Sequence, residues 1–185
     1  VNVHQRAKVE AYDDHLFIVV RMVSINAELS SEQVSLFLGA KCVVTFQEGI
    51  PGDCWESIRE RLKKGLGRIR HQGPDHLAYA LLDAVIDAYF PVLESLGERI
   101  DQIEERVMAG AKRQLIADIH HVRRELLILR RTLWPHREAV NALLRDEHPL
   151  VTAETRTFLR DCYDHAIQLM EVTELHLGHS KQQAY

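Results

Sequence analysis

The stretch Thr132-Leu-Trp-Pro-His-Arg-Glu138 decides how the second half of this chain is read. A proline inside a helix costs roughly 3 kcal/mol, because it removes a backbone donor and crowds the preceding turn. Yet apolar residues recur at helical spacing on both sides of Pro135. Leu115, Ile119, Val122, Leu126, Leu129 and Leu133 precede it, and Val140 and Leu144 follow. The pattern predicts one helix from about Arg113 to Arg145 that accepts the proline. Farther on, Phe158-Leu-Arg-Asp-Cys-Tyr-Asp-His165 sets Asp161, Asp164 and His165 at i, i+3 and i+4, on one side of another helix.

The helical pattern extends outward from these segments. Upstream, Leu77, Leu81, Leu82, Val85, Ile86, Tyr89, Leu93, Leu96, Ile100, Ile103 and Val107 form an apolar stripe. They predict a long helix from Asp75 to Ala109, bent or locally opened at Pro91 and ended by Gly110. The short connection at residues 110–112 makes this helix and the next antiparallel neighbours. Residues 76–109 hold seven acids and two bases, whereas residues 112–145 hold eight bases and three acids. Favourable acid-to-base pairs across the two helices are expected, each worth only about 0–1 kcal/mol if exposed. Thr152 reads as the N-cap of a third helix running to about the C-terminus.

Before Asp75 the period changes. Lys8–Tyr12, His15–Val23, Gln33–Leu38 and Lys41–Gln47 read as strands, with Asp13-Asp14 a turn and Glu28–Glu32 a polar connection. They suit a small antiparallel or mixed sheet. Pro51-Gly-Asp ends it, Asp53 caps a short helix over Cys54–Lys64, and Gly65-Leu-Gly67 stops that helix. The chain divides into a sheet-and-short-helix part (1–74), a helix pair (75–149) and a final helix (150–185).

Composition narrows the function. The 185 residues are 46% hydrophobic and 27% charged, with a net charge of −4. That balance fits a globular protein and does not suggest a nucleic-acid partner, which calls for a basic surface. Cys42, Cys54 and Cys162 are odd in number and lack paired spacing, against a disulfide framework or a cysteine zinc site. No apolar run approaches the ~20 residues of a membrane span, and no secretory leader is seen. Val1 opens without a methionine, as expected of a piece trimmed from a longer chain. No nucleophile–base arrangement supports an enzyme.

Three groups of residues suggest chemistry. Asp161, Asp164 and His165 offer oxygen and nitrogen ligands on one helix face. Mg²⁺ takes one or two carboxylates and keeps waters, so a partner surface must complete such a site. The alternative is solvated charge near a helix start. Asp83 and Asp87 form an i, i+4 acidic pair in the apolar stretch Ala78–Phe90, where a carboxylate needs a counter-charge, a donor or a cation. An arginine from the facing helix is the simpler partner, a metal the sharper one. His4, His71, His76, His120, His121 and His136 are scattered and read as surface residues.

The segments His4-Gln-Arg-Ala-Lys-Val-Glu10, Ser31-Glu-Gln-Val-Ser35, Leu81-Leu-Asp-Ala-Val-Ile-Asp-Ala-Tyr89, Trp134-Pro-His-Arg-Glu138 and Phe158–His165 occur together in one order. In this the chain resembles the cytoplasmic domain of the CorA family of divalent-cation channels. The resemblance implies an α/β fold: a small mixed sheet with flanking helices, two long antiparallel helices and the start of a long stalk helix. It implies a homopentamer in the cell inner membrane, with this part on the cytoplasmic side and the membrane reached through a C-terminal segment beyond Tyr185. It implies regulatory Mg²⁺, with Co²⁺ or another divalent cation as an alternative, held by Asp161, Asp83 and His165. A zinc-transporting branch of the same superfamily shares the architecture. A soluble helical interaction module is the reading from a different class.

Overall fold

The computed structural model describes residues 5–25, 28–50, 52–109 and 112–182; His4, Pro51 and Gly110 lie outside them. Four strands, β1 (Lys8–Ala11), β2 (His15–Ile25), β3 (Leu29–Gly39) and β4 (Val43–Gln47), form a meander in the order β1-β2-β3-β4. Every pairing is antiparallel, so the sheet is not mixed. Consecutive strands joined by short turns can pair only this way. Alternation sets the inner face: Leu16, Ile18, Val20 and Met22 of β2 lie beside Val34, Leu36 and Leu38 of β3, all buried. On the other face Phe17, Phe37 and Phe46 form a chain of rings, with centroids 4.7 and 5.8 Å apart.

The expected polar connection Glu28–Glu32 is mostly strand, because β3 begins at Leu29. Its polar side chains have partners that favour the extended form. Ser31 Oγ accepts from Arg21 Nε at 2.7 Å, and Glu32 accepts the backbone N–H of Gly49 at 3.0 Å. Then comes α1 (Glu56–Lys64), closed by Gly65 at φ 65°, a left-handed cap that glycine adopts without strain. Asp53 accepts from the Trp55 N–H and pairs with Arg59. Trp55 is buried and donates from Nε1 to the Leu81 carbonyl at 3.0 Å.

The predicted long helix 75–109 is two helices, α2 (Pro74–Asp87) and α3 (Tyr89–Met108), divided at Ala88. Pro91 falls in the first turn of α3, where its missing N–H interrupts the ladder between helices instead of bending one. The run from Pro74 to Met108 is apolar and long enough to cross a membrane, but half of its apolar window is buried within the fold. Helices α4 (Lys112–Arg145) and α5 (Ala153–Gln182) complete the chain. Asp75 accepts from the N–H and the hydroxyl of Thr152, tying the start of α5 to that of α2. The Thr152 hydroxyl also caps Thr155 N–H at 3.2 Å.

Helix α4 passes through Pro135 unbroken, and the next residue has a structural task. Strand β1 stops pairing at Lys8, opposite Val19. Beyond it, helices finish the edge of β2 at Arg21. The Arg21 N–H donates to His136 Nε2 at 3.0 Å, and the Tyr89 hydroxyl donates to the Arg21 carbonyl at 2.8 Å. His136 Nδ1 lies 2.7 Å from the Thr132 carbonyl, so Nδ1 carries the proton. His136 is therefore a core residue, not a surface one; burial pushes it down to about 4 and keeps it neutral.

The expected acid-to-base pairs across the two long helices form, but those between described residues come from unexpected members. Arg99 of α3 pairs with Glu125 of α4 at 2.5 Å, and Arg106 of α3 with Asp118 of α4 at 3.0 Å. Each pair uses a minority charge of its helix. Helix-wide charge sums do not say which side chains face the seam.

Candidate functional site

Helices α2 and α5 pack side by side, and their contact brings Asp83, Asp87 and His165 together. Asp83 and Asp87 share a face of α2 through their i, i+4 spacing. His165 reaches them from the fourth turn of α5, held by an edge-on contact with Phe90 at 5.9 Å. Its Nδ1 lies 3.0 Å from Asp87 Oδ1 and 4.0 Å from Asp83 Oδ1. One ligand atom from each of the three residues falls within 4.8 Å of the others. Tyr79 donates its hydroxyl to Asp83 Oδ2 at 3.3 Å.

The electrostatics of the group are unbalanced. Burial raises the Asp83 carboxyl above its ordinary value, and the Asp87 charge raises it further. His165 works in the opposite direction, and Asp161 adds a further raising influence. Two carboxylates thus share one imidazole, and no arginine or lysine pairs with either among the described residues. Among the described residues the partner is not the arginine considered from sequence but His165. A cation held here would relieve the repulsion between the carboxylates. Two oxygens and one nitrogen leave room for water ligands, as Mg²⁺ requires. The imidazole also suits Co²⁺ or Zn²⁺.

Of the predicted ligands, Asp83 and His165 converge, whereas Asp161 lies one turn before His165 and is exposed. Asp164 is also exposed and stands outside the group. Asp87, noted in sequence as the companion of Asp83, takes the third position. The Tyr79 contribution went unnoticed, although its i, i+4 spacing to Asp83 was legible. A groove of about 690 Å³ opens beside the carboxylates, with Arg61, His76 and Phe158 in its wall.

A second carboxylate–histidine cluster joins α3 and α4. Glu125 is buried and accepts from Arg99 Nη1 at 2.5 Å and from the Leu29 N–H at 3.2 Å. His121 Nδ1 stands 3.3 Å from the same carboxylate. Here a guanidinium supplies the cation from within the protein.

Residues 1–179 match the family described as CorA-like Mg²⁺ transporter protein. The chain is 43% identical over 177 residues to the cobalt/magnesium transport protein CorA of Thermotoga maritima, covering 94% of this chain and 50% of that protein. It spans about half the length of the curated relatives it matches. Two solved structures share the fold. The soluble domain of CorA from Methanocaldococcus jannaschii superposes with a TM-score of 0.79 at 19% identity, over 99% of this chain and 73% of that one. The ZntB cytoplasmic domain from Vibrio parahaemolyticus does so with a TM-score of 0.81 at 16% identity, over 97% and 71%.

Proposed function

The chain belongs to the CorA-like Mg²⁺ transporter family, and from that membership we propose that it is the cytoplasmic cation-sensing part of a homopentameric divalent-cation channel of the cell inner membrane. The observation that carries this reading is the convergence of Asp83, Asp87 and His165 without a guanidinium or ammonium partner among the described residues. Mg²⁺ is the regulatory ion in this proposal. Asp161, exposed one turn away, is the group left to meet an ion or a neighbouring subunit.

The mechanism follows from charge. Without a cation, Asp83 and Asp87 repel each other along one face of α2, and Asp161 of α5 adds to the negative potential. A hydrated Mg²⁺ would neutralise that field, with Asp83, Asp87 and the exposed Asp161 as the residues that would hold it. The ion biases the assembly toward a closed arrangement only because it binds that arrangement more tightly. When the Mg²⁺ concentration falls, the ion leaves and repulsion loosens the ring. The Thermotoga relative is named for cobalt as well as magnesium, and the imidazole of His165 favours Co²⁺ as an alternative occupant.

Thermal unfolding across an Mg²⁺ titration is the test. The native chain is expected to gain stability with Mg²⁺, and the Asp83→Asn/Asp87→Asn chain to lose that response. An equal gain in both chains would remove this cluster from the sensing role. In the assembled channel, Asp161→Ala is expected to weaken Mg²⁺-dependent protection against protease, and unchanged protection would remove Asp161.

A further inference from the structure

The proline stretch of α4 forms one wall of a groove of about 850 Å³, which α5 and the approach to β1 complete. Arg6, Arg21, Arg130 and Arg131 line it, against a single carboxylate, Glu174. Glu174 is taken by Arg130, whose Nη1 lies 3.3 Å from its Oε1. Arg21 donates from Nε to the Ser31 hydroxyl at 2.7 Å and from Nη2 to the Ser31 carbonyl at 3.1 Å, groups that carry no charge. Arg6 and Arg131 are exposed and make no hydrogen bond or ion pair among the described residues. Three guanidiniums thus line one opening without a carboxylate of their own, in a chain whose net charge is −4.

An aromatic ring stands among them. Trp134 lines the same groove and is 54% exposed, although the Arg137 guanidinium lies over its ring at 4.6 Å. Pro135 lines it too, and a proline brings no N–H to the carbonyl four residues back, that of Arg131. The wall therefore holds a backbone acceptor without its helical donor. Each of these features is unfavourable in water alone. Like charges gathered in one groove repel and raise its positive potential, and an exposed indole leaves apolar area unburied. A ligand that carries several negative charges and a flat ring relieves both.

We propose that this groove binds a nucleoside di- or triphosphate, with the phosphates held by Arg6, Arg21 and Arg131 and the base laid on Trp134. The planar fork of a guanidinium matches two phosphate oxygens at once. Stacking on an indole accepts any base, because every base has a π-face. Met170 of α5 lines this groove, and His165 of the same helix belongs to the carboxylate cluster. One helix therefore touches both places, yet they share no side chain. The groove keeps its role whether or not the Asp83 cluster senses Mg²⁺.

Metal-free ATP is the probe, titrated into the whole chain by calorimetry beside pyrophosphate. One ATP is expected per chain, bound about tenfold more tightly than pyrophosphate because the base adds a stacked contact. Arg6→Gln/Arg131→Gln is expected to weaken ATP and pyrophosphate alike, by about tenfold or more. Trp134→Ala is expected to weaken ATP about tenfold and to leave pyrophosphate unchanged. All three side chains are exposed, so these variants keep the fold, as thermal unfolding verifies. ATP is also expected to quench the native tryptophan emission but not that of the Trp134→Ala chain, since Trp55 is enclosed. Absence of ATP binding, or an affinity that the arginine pair leaves unchanged, overturns the proposal. Pyrophosphate bound as tightly as ATP overturns it as well, and leaves an anion patch with no place for a base. The Asp83→Asn/Asp87→Asn chain is expected to bind ATP as the native chain does, and the arginine pair to keep the native Mg²⁺ response, so failure of one reading is distinct from failure of the other.

Discussion

The two carboxylate–histidine clusters, one at the α3–α4 seam and one at the α2–α5 contact, use the same residue types to opposite ends. At Glu125 a buried carboxylate meets Arg99, the Leu29 N–H and His121. Both carboxylate oxygens meet donors from within the chain. At Asp83 and Asp87 two carboxylates meet one imidazole and one tyrosine hydroxyl. The difference is a guanidinium. A cluster that holds its own cation ties elements together, and one that lacks it is left with an appetite for an ion.

The largest effect on metal-free stability expected from breaking this contrast is at the satisfied cluster. Glu125→Ala removes the carboxylate that Arg99 and the Leu29 N–H share and should cost about 2 kcal/mol, since a backbone donor loses its partner and the buried carboxyl leaves a gap. Denaturant unfolding measures it, and added Mg²⁺ should not restore it. At the unsatisfied cluster the same kind of change should do the reverse. Asp83→Asn/Asp87→Asn removes repulsion and should leave metal-free stability equal or higher. What it loses is the metal-dependent gain, about 2.7 kcal/mol in the native chain at a Mg²⁺ concentration a hundred times Kd.

Acid separates the clusters more finely. The Asp83 carboxyl is raised above its ordinary value of 3.8 by burial and by Asp87. Between those values the folded chain holds more protons than the unfolded one, so lowering the pH through this window favours folding. The stability gap between the native and the Asn/Asn chains should therefore narrow as pH falls toward 4. His136 acts in the other direction in both chains alike. Its folded value of about 4 lies below the ordinary 6.5, so its contribution is whole above pH 6.5 and is lost as pH falls to 4. A gap that stays constant with pH would sink the assignment of Asp83. The smallest effect is at the rim: Arg106→Ala breaks a solvent-exposed pair with Asp118 and should cost no more than about 0.5 kcal/mol.

Much of this was legible in the chain itself. The Val, Ile and Phe over His15–Val23 read as a strand, which β2 is, and the apolar spacing around Pro135 read as a helix that continues through proline, which α4 does. Thr152 as an N-cap and Gly65 as a stop were read from residue chemistry alone, and both hold. Glu28–Glu32 misled because its polar residues are satisfied by Arg21 and by the Gly49 N–H, partners that no local pattern reveals. Pro91 announced an interruption but not its form, which depends on where α3 begins. Asp83 and His165 were picked out as ligands; that they converge, with Asp87 and without Asp161, depends on the rotation of α5 against α2. The swapped polarity of the Arg99 and Arg106 pairs has the same origin, because a sequence gives the charge of a helix more readily than its facing.

The burial of Trp55 gives the molecule an optical property. The chain has two tryptophans. Trp55 is enclosed and bonded to the Leu81 carbonyl, two residues from Asp83. Trp134 is 54% exposed, with the Arg137 guanidinium 4.6 Å from its ring. One emits from an apolar shell attached to the helix that carries the carboxylates, the other from water. Their emission maxima and their access to a soluble quencher are expected to differ, so α2 carries its own lamp, and a shift of that helix should be readable in unlabelled protein.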